Sequence, residues 1–354
     1  MDTELPSESA AAVTALPIAL AVETDTGWTP CDRSPSGQSR AVSLLLRLGL
    51  RPLVKQLRGN PISIWTARIA ADAAGRLVRV DPRVRVEPLL DPQVESGGST
   101  RPVSGEWVYP ASQETADGAI LYLHGGGYVL CSPQTHRSIT TRLAIDTGLP
   151  VLVPRYRLAP EHPFPAALED ALDAYRWLLA RGIPASRIVV AGDSAGGHLA
   201  ASLVGEICRT DLPSPAGVVL YSPWVDLTCE LSTEWDQRVT DAYISSATAR
   251  RLGRLVAGTC DFADPRLALL TCSWSNTPPF LIQVGGAEVL RPEAERLAEI
   301  LTEAGSTCEI QVWPGQMHVF QMFNRILPES RAAMRETARF ISSVLAASHM
   351  EAVA

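Results

Sequence analysis

The chain has 354 residues, 46% of them hydrophobic, so it can bury the core of one large domain with a small appended cap. Its net charge is −7, its basic residues are dispersed apart from one N-terminal segment, and no run of about twenty apolar residues occurs, which argues against a nucleic-acid binder and a membrane-spanning helix. The seven cysteines are scattered without Cys-x-x-Cys spacing, which predicts neither a disulfide framework nor a metal site and favours a reduced, cytoplasmic chain.

The N-terminal region divides into two parts. Residues 1–38 are rich in Ala, Ser, Thr, Pro and acidic side chains, which predicts a disordered tail. Residues 39–80 are predicted to form N-terminal cap helices, the first of which Pro52 should kink or split. The simplest interpretation of its basic side is a solvated face, and contact with a membrane surface or an anionic ligand is the alternative. The cations recur at three- and four-residue spacing: Arg47, Arg51, Lys55 and Arg58.

The rest of the chain alternates short apolar runs with amphipathic helical stretches. Fully apolar strands that alternate with helices are typical of a mainly parallel sheet covered on both faces. We therefore predict one α/β domain over residues 81–228 and 259–348. A polar, helix-prone insert at residues 229–258 interrupts the alternation. Together with residues 39–80, this insert is expected to form a cap over the carboxyl ends of the strands, where ligands bind in such sheets.

One apolar strand ends in a Gly-x-Ser-x-Gly turn at residues 192–196, and a tightly packed helix follows it. Gly192 and Gly196 flank Ser194 and lack a Cβ, so the chain can bend sharply and leave the Ser194 hydroxyl projecting. The motif alone is equally compatible with a tight turn in which the serine is merely small. A nucleophilic role for Ser194 therefore depends on partners elsewhere in the chain.

A glycine loop, residues 124–127 (His-Gly-Gly-Gly), follows another buried strand. Three consecutive glycines expose backbone N–H groups without side-chain obstruction, as an oxyanion hole requires. A flexible turn or a phosphate loop is the alternative interpretation. The chain lacks both the Gly-Lys-Ser/Thr ending and the Rossmann glycine spacing, so the pattern favours the oxyanion hole.

His318 lies in a loop between the last predicted strand and the terminal helix. A serine hydroxyl becomes a good nucleophile at neutral pH when a neighbouring imidazole takes its proton. His318 follows Ser194 in the chain order Ser, acid, His, which makes it the best candidate for the base. The competing histidines precede the serine or lie in the glycine loop, the following helix or the tail: His124, His136, His162, His198 and His349.

Four ordered motifs resemble the hormone-sensitive-lipase-like branch of bacterial α/β-hydrolase carboxylesterases. They are residues 124–128, 156–166, 192–197 and 315–320, and the resemblance covers residues 82–346. It implies an α/β-hydrolase fold with a helical cap, activity on small-molecule acyl esters of short to medium chain length, and no metal or cofactor. It also implies a possible homodimer, since the family often pairs through an edge strand. By motif match, the oxyanion hole would use the amides of Gly125, Gly126 and Ala195.

The acid of the triad departs from the commonest family pattern, Asp-x-Leu-x-Asp. This chain reads Glu288-Val-Leu-Arg-Pro after a predicted strand, so aligning Leu290 puts Glu288 at the catalytic acid and Pro292 where a second carboxylate is usual. Only Glu288 lies in the loop at that strand's carboxyl end. The other carboxylates considered fall too early in the chain or in the next helix: Asp226, Asp261, Asp264, Glu293 and Glu295.

Together, these features predict a serine carboxylesterase with Ser194 as nucleophile, His318 as general base and acid, and Glu288 as the triad acid. An amide or carbamate hydrolase on the same triad is the first alternative. A non-catalytic small-molecule receptor on the same scaffold is the second, but it is expected to have lost the serine or the histidine, and both are present.

Overall fold

The computed structural model describes residues 34–57, 59–91, 102–111, 118–210 and 212–353, so most of the predicted tail and Arg58 lie outside the described residues. The helices are α1 (Gly37–Lys55), α2 (Pro61–Arg76), α3 (Arg137–Thr147), α4 (Ala166–Ala180), α5 (Ala195–Arg209), α6 (Glu230–Trp235), α7 (Ser246–Ala257), α8 (Arg291–Glu303) and α9 (Pro328–Val353). The strands are β1 (Val84–Asp91), β2 (Val103–Pro110), β3 (Ala119–Leu123), β4 (Val151–Pro154), β5 (Ile188–Asp193), β6 (Gly217–Tyr221), β7 (Phe280–Gly285) and β8 (Cys308–Trp313).

The strands form one sheet in the order β1-β2-β4-β3-β5-β6-β7-β8. The pairs β1/β2 and β2/β4 are antiparallel, and every pair from β4 to β8 is parallel. Strands β3, β5, β6 and β7 are buried along their whole length. Such burial requires helices on both faces, and the mainly parallel, doubly covered sheet that the sequence predicts is confirmed.

Each face of the sheet has its own core. Tyr175 of α4 and Leu203 of α5 belong to the core on one face. Ile139 of α3 and Ile341 of α9 belong to the core on the other. Because β3, β5, β6, β7 and β8 run parallel, the loops after their carboxyl ends meet at one edge of the sheet. The glycine loop, the serine turn and the loops of Glu288 and His318 all lie at this edge.

Helix α1 continues through Pro52 to Lys55, so the predicted split at Pro52 is absent, and a kink there stays a prediction. Pro52 lies in the last turn of α1, where its missing N–H removes a single helical hydrogen bond. The inner side of α1 packs through Val42 and Leu46 on a core cluster that contains Trp313. Ser39 Oγ donates to Gln316 Oε1 at 2.9 Å, which ties α1 to the loop that carries His318.

Helix α2 and the insert also contact loops at the carboxyl edge of the sheet. Arg68 of α2 donates to the carbonyl oxygens of Val129 and Ala159, both at 2.7 Å, beside the glycine loop. A Cβ added to Gly127 would lie 2.8 Å from Leu252 Cδ1, so α7 packs directly on the glycine loop. Among the described residues, no helix has the length and apolar character needed to cross a bilayer.

Candidate active site

The serine turn needs glycine on both sides of Ser194. A Cβ on Gly192 would lie 2.2 Å from the carbonyl oxygen of Gly196, and a Cβ on Gly196 would lie 2.0 Å from that of Leu123. Ser194 itself has φ 52° and ψ −120°, a strained combination for a residue with a side chain. Ser194 is half-buried and lies immediately before α5.

His318 lies directly beside the serine. Its Nε2 is 2.9 Å from Ser194 Oγ, and its side chain is almost fully buried. A neutral imidazole that accepts the serine proton at Nε2 carries its own proton on Nδ1. On that side lies Glu288, whose Oε1 is 3.5 Å from His318 Nδ1. The structure thus brings the predicted serine, histidine and acid together, with a longer separation between the last two.

Two hydrogen bonds hold the other oxygen of Glu288. Oε2 accepts from Ser222 Oγ at 2.6 Å and from the N–H of Gly285 at 3.0 Å. Glu288 Oε1 and His318 Nδ1 have no hydrogen-bond partner among the described residues. The carboxylate is therefore fixed with one free oxygen towards the imidazole. Catalytic hydrogen bonds in free enzymes are often long and shorten only when the reacting group is bound.

The electrostatic environment favours a proton on His318. Burial alone would lower the pKa of His318, since the charged imidazolium loses solvation. The Glu288 carboxylate, with further contributions from Asp241 and Asp193, outweighs burial and raises the pKa of His318 above its usual value. An imidazolium at this position would therefore be stabilised.

Two of the three glycine amides of the glycine loop are free of partners among the described residues. Gly126 has φ 117° and Gly127 has φ 63°, conformations that favour glycine. Both are half-buried, and neither N–H has a partner among the described residues. The N–H of Ala195 opens α5 and lacks a helical acceptor. In contrast, Gly125 is buried and its N–H donates to Asp193 Oδ1 at 3.0 Å, so it is not the free donor that the sequence predicts.

Asp193 links the serine turn to the glycine loop. Its Oδ1 accepts from Tyr122 at 2.6 Å as well as from Gly125, and its Oδ2 lies 3.1 Å from His136 Nε2. Burial alone would raise the pKa of Asp193, but the neighbouring His136, Tyr122 and His124 hold it below its ordinary value. Asp193 is therefore a buried carboxylate that fixes the position of the glycine loop.

The insert also contacts the loops of Glu288 and His318, through residues that the sequence reasoning missed. Trp235 Nε1 donates to the carbonyl oxygen of Glu288 at 3.1 Å, and Tyr243 Oη donates to that of His318 at 2.6 Å. Buried Asp241 accepts the N–H of Val289 at 2.9 Å, and burial raises its pKa. No motif marks Asp241 or Tyr243, because their partners are distant in sequence.

The competing carboxylates are engaged elsewhere. Asp264 pairs with Arg266, and Asp226 accepts hydrogen bonds from its own turn. Glu293 is buried beneath the backbone amides of Val225 and Asp226. Across the described ranges, no group of three or more His, Cys, Asp or Glu side chains is placed to hold a metal ion.

Comparisons with known proteins agree with this geometry. Residues 120–322, more than half of the chain, match the model of a family described as alpha/beta hydrolase fold. The chain is 40% identical over 242 residues to an acetyl-hydrolase of Streptomyces hygroscopicus. This alignment covers 67% of this chain and 79% of the relative. The chain is also 34% identical over 304 residues to the esterase LipU of Mycobacterium tuberculosis. That alignment covers 83% of this chain and 98% of the relative.

A similar solved structure is that of an esterase from the bacterial hormone-sensitive lipase family. The TM-score is 0.78 at 32% sequence identity, and the match covers 88% of this chain and 100% of that one. The strand order, the serine turn and the histidine beside it, together with these relatives, lead to one assignment. The chain belongs to the hormone-sensitive-lipase-like branch of the α/β-hydrolase carboxylesterases and is a carboxylic-ester hydrolase.

Proposed function

We propose that the protein hydrolyses acyl esters through an acyl-enzyme on Ser194, with His318 as general base and acid and Glu288 as the triad acid. The observation that carries the proposal is the 2.9 Å contact between Ser194 Oγ and His318 Nε2. It pairs a projecting hydroxyl with a base, at the turn where such a nucleophile is expected.

In the first step, His318 Nε2 takes the proton of Ser194 as Oγ attacks the ester carbonyl carbon. The free oxygen of Glu288 orients the imidazole and stabilises its positive charge. His318 then gives the proton to the leaving alcohol, and the acyl-enzyme remains. Water, activated by the same imidazole, hydrolyses the acyl-enzyme and releases the acid.

The oxyanion of the tetrahedral intermediate would be bound by the amides of Gly126, Gly127 and Ala195. Their support is that all three N–H groups are free among the described residues, whereas that of Gly125 is bonded to Asp193. Gly125 thus has a positioning role in this proposal. Loss of one oxyanion donor costs about a hundredfold to a thousandfold in kcat in other hydrolases.

We further propose that α1, α2 and the insert form a cap, and that the preferred acyl chain is short to medium. The cap proposal is supported by the contacts of these helices with the catalytic loops. The substrate proposal is supported by the relative that is named an acetyl-hydrolase. Amide or carbamate cleavage on the same triad is the alternative, and turnover of matched ester and anilide substrates distinguishes the two.

Labelling with a serine-reactive fluorophosphonate tests the nucleophile. One label should add at Ser194 and abolish ester turnover, and Ser194→Ala should remain unlabelled and inactive. Ser202→Ala is the matched control, because Ser202 lies on the same helix and is buried, with its hydroxyl donating to the carbonyl oxygen of Arg266. Peptide mapping that finds the label on another serine, or full activity in Ser194→Ala, would contradict the proposal.

A further inference from the structure

The outer side of α1 exposes large apolar side chains to solvent. Leu44, Leu45 and Leu48 are 56%, 68% and 70% exposed. The opposite side of the same helix contacts the rest of the fold: Ser39 bonds to Gln316, and Val42 and Leu46 pack on the core cluster that contains Trp313. The outer leucines therefore take no part in holding α1 to the fold, and leaving them in water is unfavourable.

Cations follow the same outer side of α1. Arg51 lies three residues beyond Leu48 and Lys55 four beyond Arg51, a spacing that keeps these side chains on one helical face with Leu44. Helix α1 contains four cations and no acidic residue, although the whole chain has a net charge of −7. Arg47 donates to the carbonyl oxygen of Thr240 at 2.7 Å, and Arg51 and Lys55 share the face of the exposed leucines.

An open groove of about 600 Å³ continues this face between α1 and α7. Arg51, Lys55 and Arg251 line it, and no carboxylate of the described residues pairs with any of the three. The carboxylate of Asp236 also lines the groove, but it accepts the N–H and the hydroxyl of Ser246, at 2.9 and 2.8 Å. Arg251 donates from its guanidinium to the carbonyl oxygen of Lys55 at 3.5 Å and to Thr248 Oγ1 at 3.4 Å, which holds it beside the end of α1. The Nε atoms of Arg51 and Arg251 are buried and have no hydrogen-bond partner in the described part of the chain.

We propose that this docking face (Leu44, Leu45, Leu48, Arg51, Lys55 and Arg251) binds an anionic lipid surface. Leucines that enter the acyl boundary beside cations that meet phosphate headgroups are the pattern of an interfacial helix. A second copy of this chain fits poorly, because two such faces would bring like charges together. An acidic peptide or nucleic acid would pair the cations and leave the leucines in water.

Docking would place the active site close to the lipid. Ser39 of α1 is bonded to Gln316, two residues from His318, so the helix that meets the surface also contacts the catalytic histidine loop. An ester that dissolves in the bilayer would therefore be concentrated near Ser194. Vesicle binding itself does not depend on turnover, so the docking face can be tested whether or not the proposed esterase mechanism holds.

Flotation with vesicles of phosphatidylcholine, with and without phosphatidylglycerol, tests the docking face in the full chain. The protein should float with the anionic vesicles and not with pure phosphatidylcholine, and binding should weaken as salt is added. The triple variant Arg51→Gln, Lys55→Gln, Arg251→Gln should bind about a hundredfold more weakly, since each cation near such a surface contributes about 1 kcal/mol. Leu44→Ser with Leu48→Ser should weaken binding without changing its salt dependence.

The matched control is the triple variant Arg209→Gln, Arg296→Gln, Arg335→Gln, which removes the same charge from α5, α8 and α9. It should bind anionic vesicles like the unaltered protein, and all variants should turn over a soluble ester in vesicle-free buffer. Failure of the full chain to float, or equal binding by both triple variants, would overturn the proposal. The proposal would also be overturned by a dimer in solution that dissociates when Leu44 and Leu48 are replaced, because a second copy of the chain would then cover the docking face.

Discussion

Glu288 is bound at one carboxylate oxygen and leaves the other for His318. Ser222 links the two loops, since its hydroxyl donates to Glu288 Oε2 and accepts the N–H of Val319 at 3.0 Å. The position of Glu288, the proposed triad acid, therefore depends on a serine that no motif identifies.

Replacing Glu288 by Gln should lower kcat by several orders of magnitude, as amide replacement of a triad acid does elsewhere. It should also move the acidic limb of the pH profile. His318 must be neutral to take the serine proton, so activity is lost as pH falls through its raised pKa. Without the carboxylate that pKa falls, and the acidic limb of kcat/KM should shift to lower pH.

Glu288→Asp should retain partial activity, and Asp264→Asn is the control for a neutralised carboxylate. Asp264 pairs with Arg266 away from the site, so its variant should be nearly as active as the unaltered enzyme. Near-normal kcat in Glu288→Gln together with an inactive Asp264→Asn would show that the acid was misaligned.

The sequence could predict that Ser194 and His318 lie together, because each occurs in a local motif with a fixed chain order, and their catalytic roles stay predictions. It could not predict that the N–H of Gly125 is engaged, since its acceptor, Asp193, is 68 residues away. Asp241 and Tyr243 were missed for the same reason, as they act through tertiary contacts with the loops of Glu288 and His318.

At the scale of elements, the buried strands were predictable because a short, continuous apolar run is typical of a strand that is buried on both faces. Their order was not, because β4 lies between β2 and β3 through tertiary pairing. Helix α8 shows a similar limit. Glu293 was expected in this helix, but its carboxylate reaches out to accept from the amides of Val225 and Asp226 and from Ser232 of α6.

Glu293→Gln should make stability less sensitive to alkaline pH. Burial raises the pKa of Glu293 from 4.5 to about 8 in the folded protein. A raised folded-state pKa contributes stability that is complete below the unfolded value and is lost as pH rises through the folded one. The fall in Tm between about pH 6 and about pH 9 should therefore be smaller in the variant than in the unaltered protein.

Glu295→Gln is the matched control on α8, because Glu295 is partly exposed and pairs with Arg291. Its Tm should follow pH like that of the unaltered protein. An equal alkaline loss of Tm in both variants and in the unaltered protein would contradict a raised pKa at Glu293.

Across the whole molecule, the helices outside the sheet touch the three loops that carry the proposed chemistry. The glycine loop meets α7, the loop of Glu288 meets α6, and the loop of His318 meets α1. The acyl chain would therefore be bounded by these helices as well as by the sheet edge. The division into a cap and a catalytic domain stays a prediction, as does a homodimer through an edge strand.

The kcat/KM for p-nitrophenyl esters should rise with acyl length and then fall. Each methylene buried in the site contributes about 0.8 kcal/mol, or about a fourfold rise, until the space between helices and sheet is filled. The measurement is the initial rate with a series of esters that have even-numbered acyl chains, each at a concentration where the substrate is monomeric. A rise that continues through long chains, with a jump when the substrate aggregates, would instead favour a true lipase.

The carboxylate of Asp193 has a consequence for protein engineering. Asp193 precedes Ser194, the proposed nucleophile, in sequence and accepts a hydrogen bond from the amide of Gly125 in the glycine loop, so two segments far apart in the chain behave as one module. Replacing the glycine loop with that of another hydrolase, in order to change the binding of the acyl group, would remove the contact between this loop and Asp193. Such a graft needs the matching residue at position 193, and with it the partners Tyr122 and His136. Recombination between relatives should accordingly conserve these positions as a set.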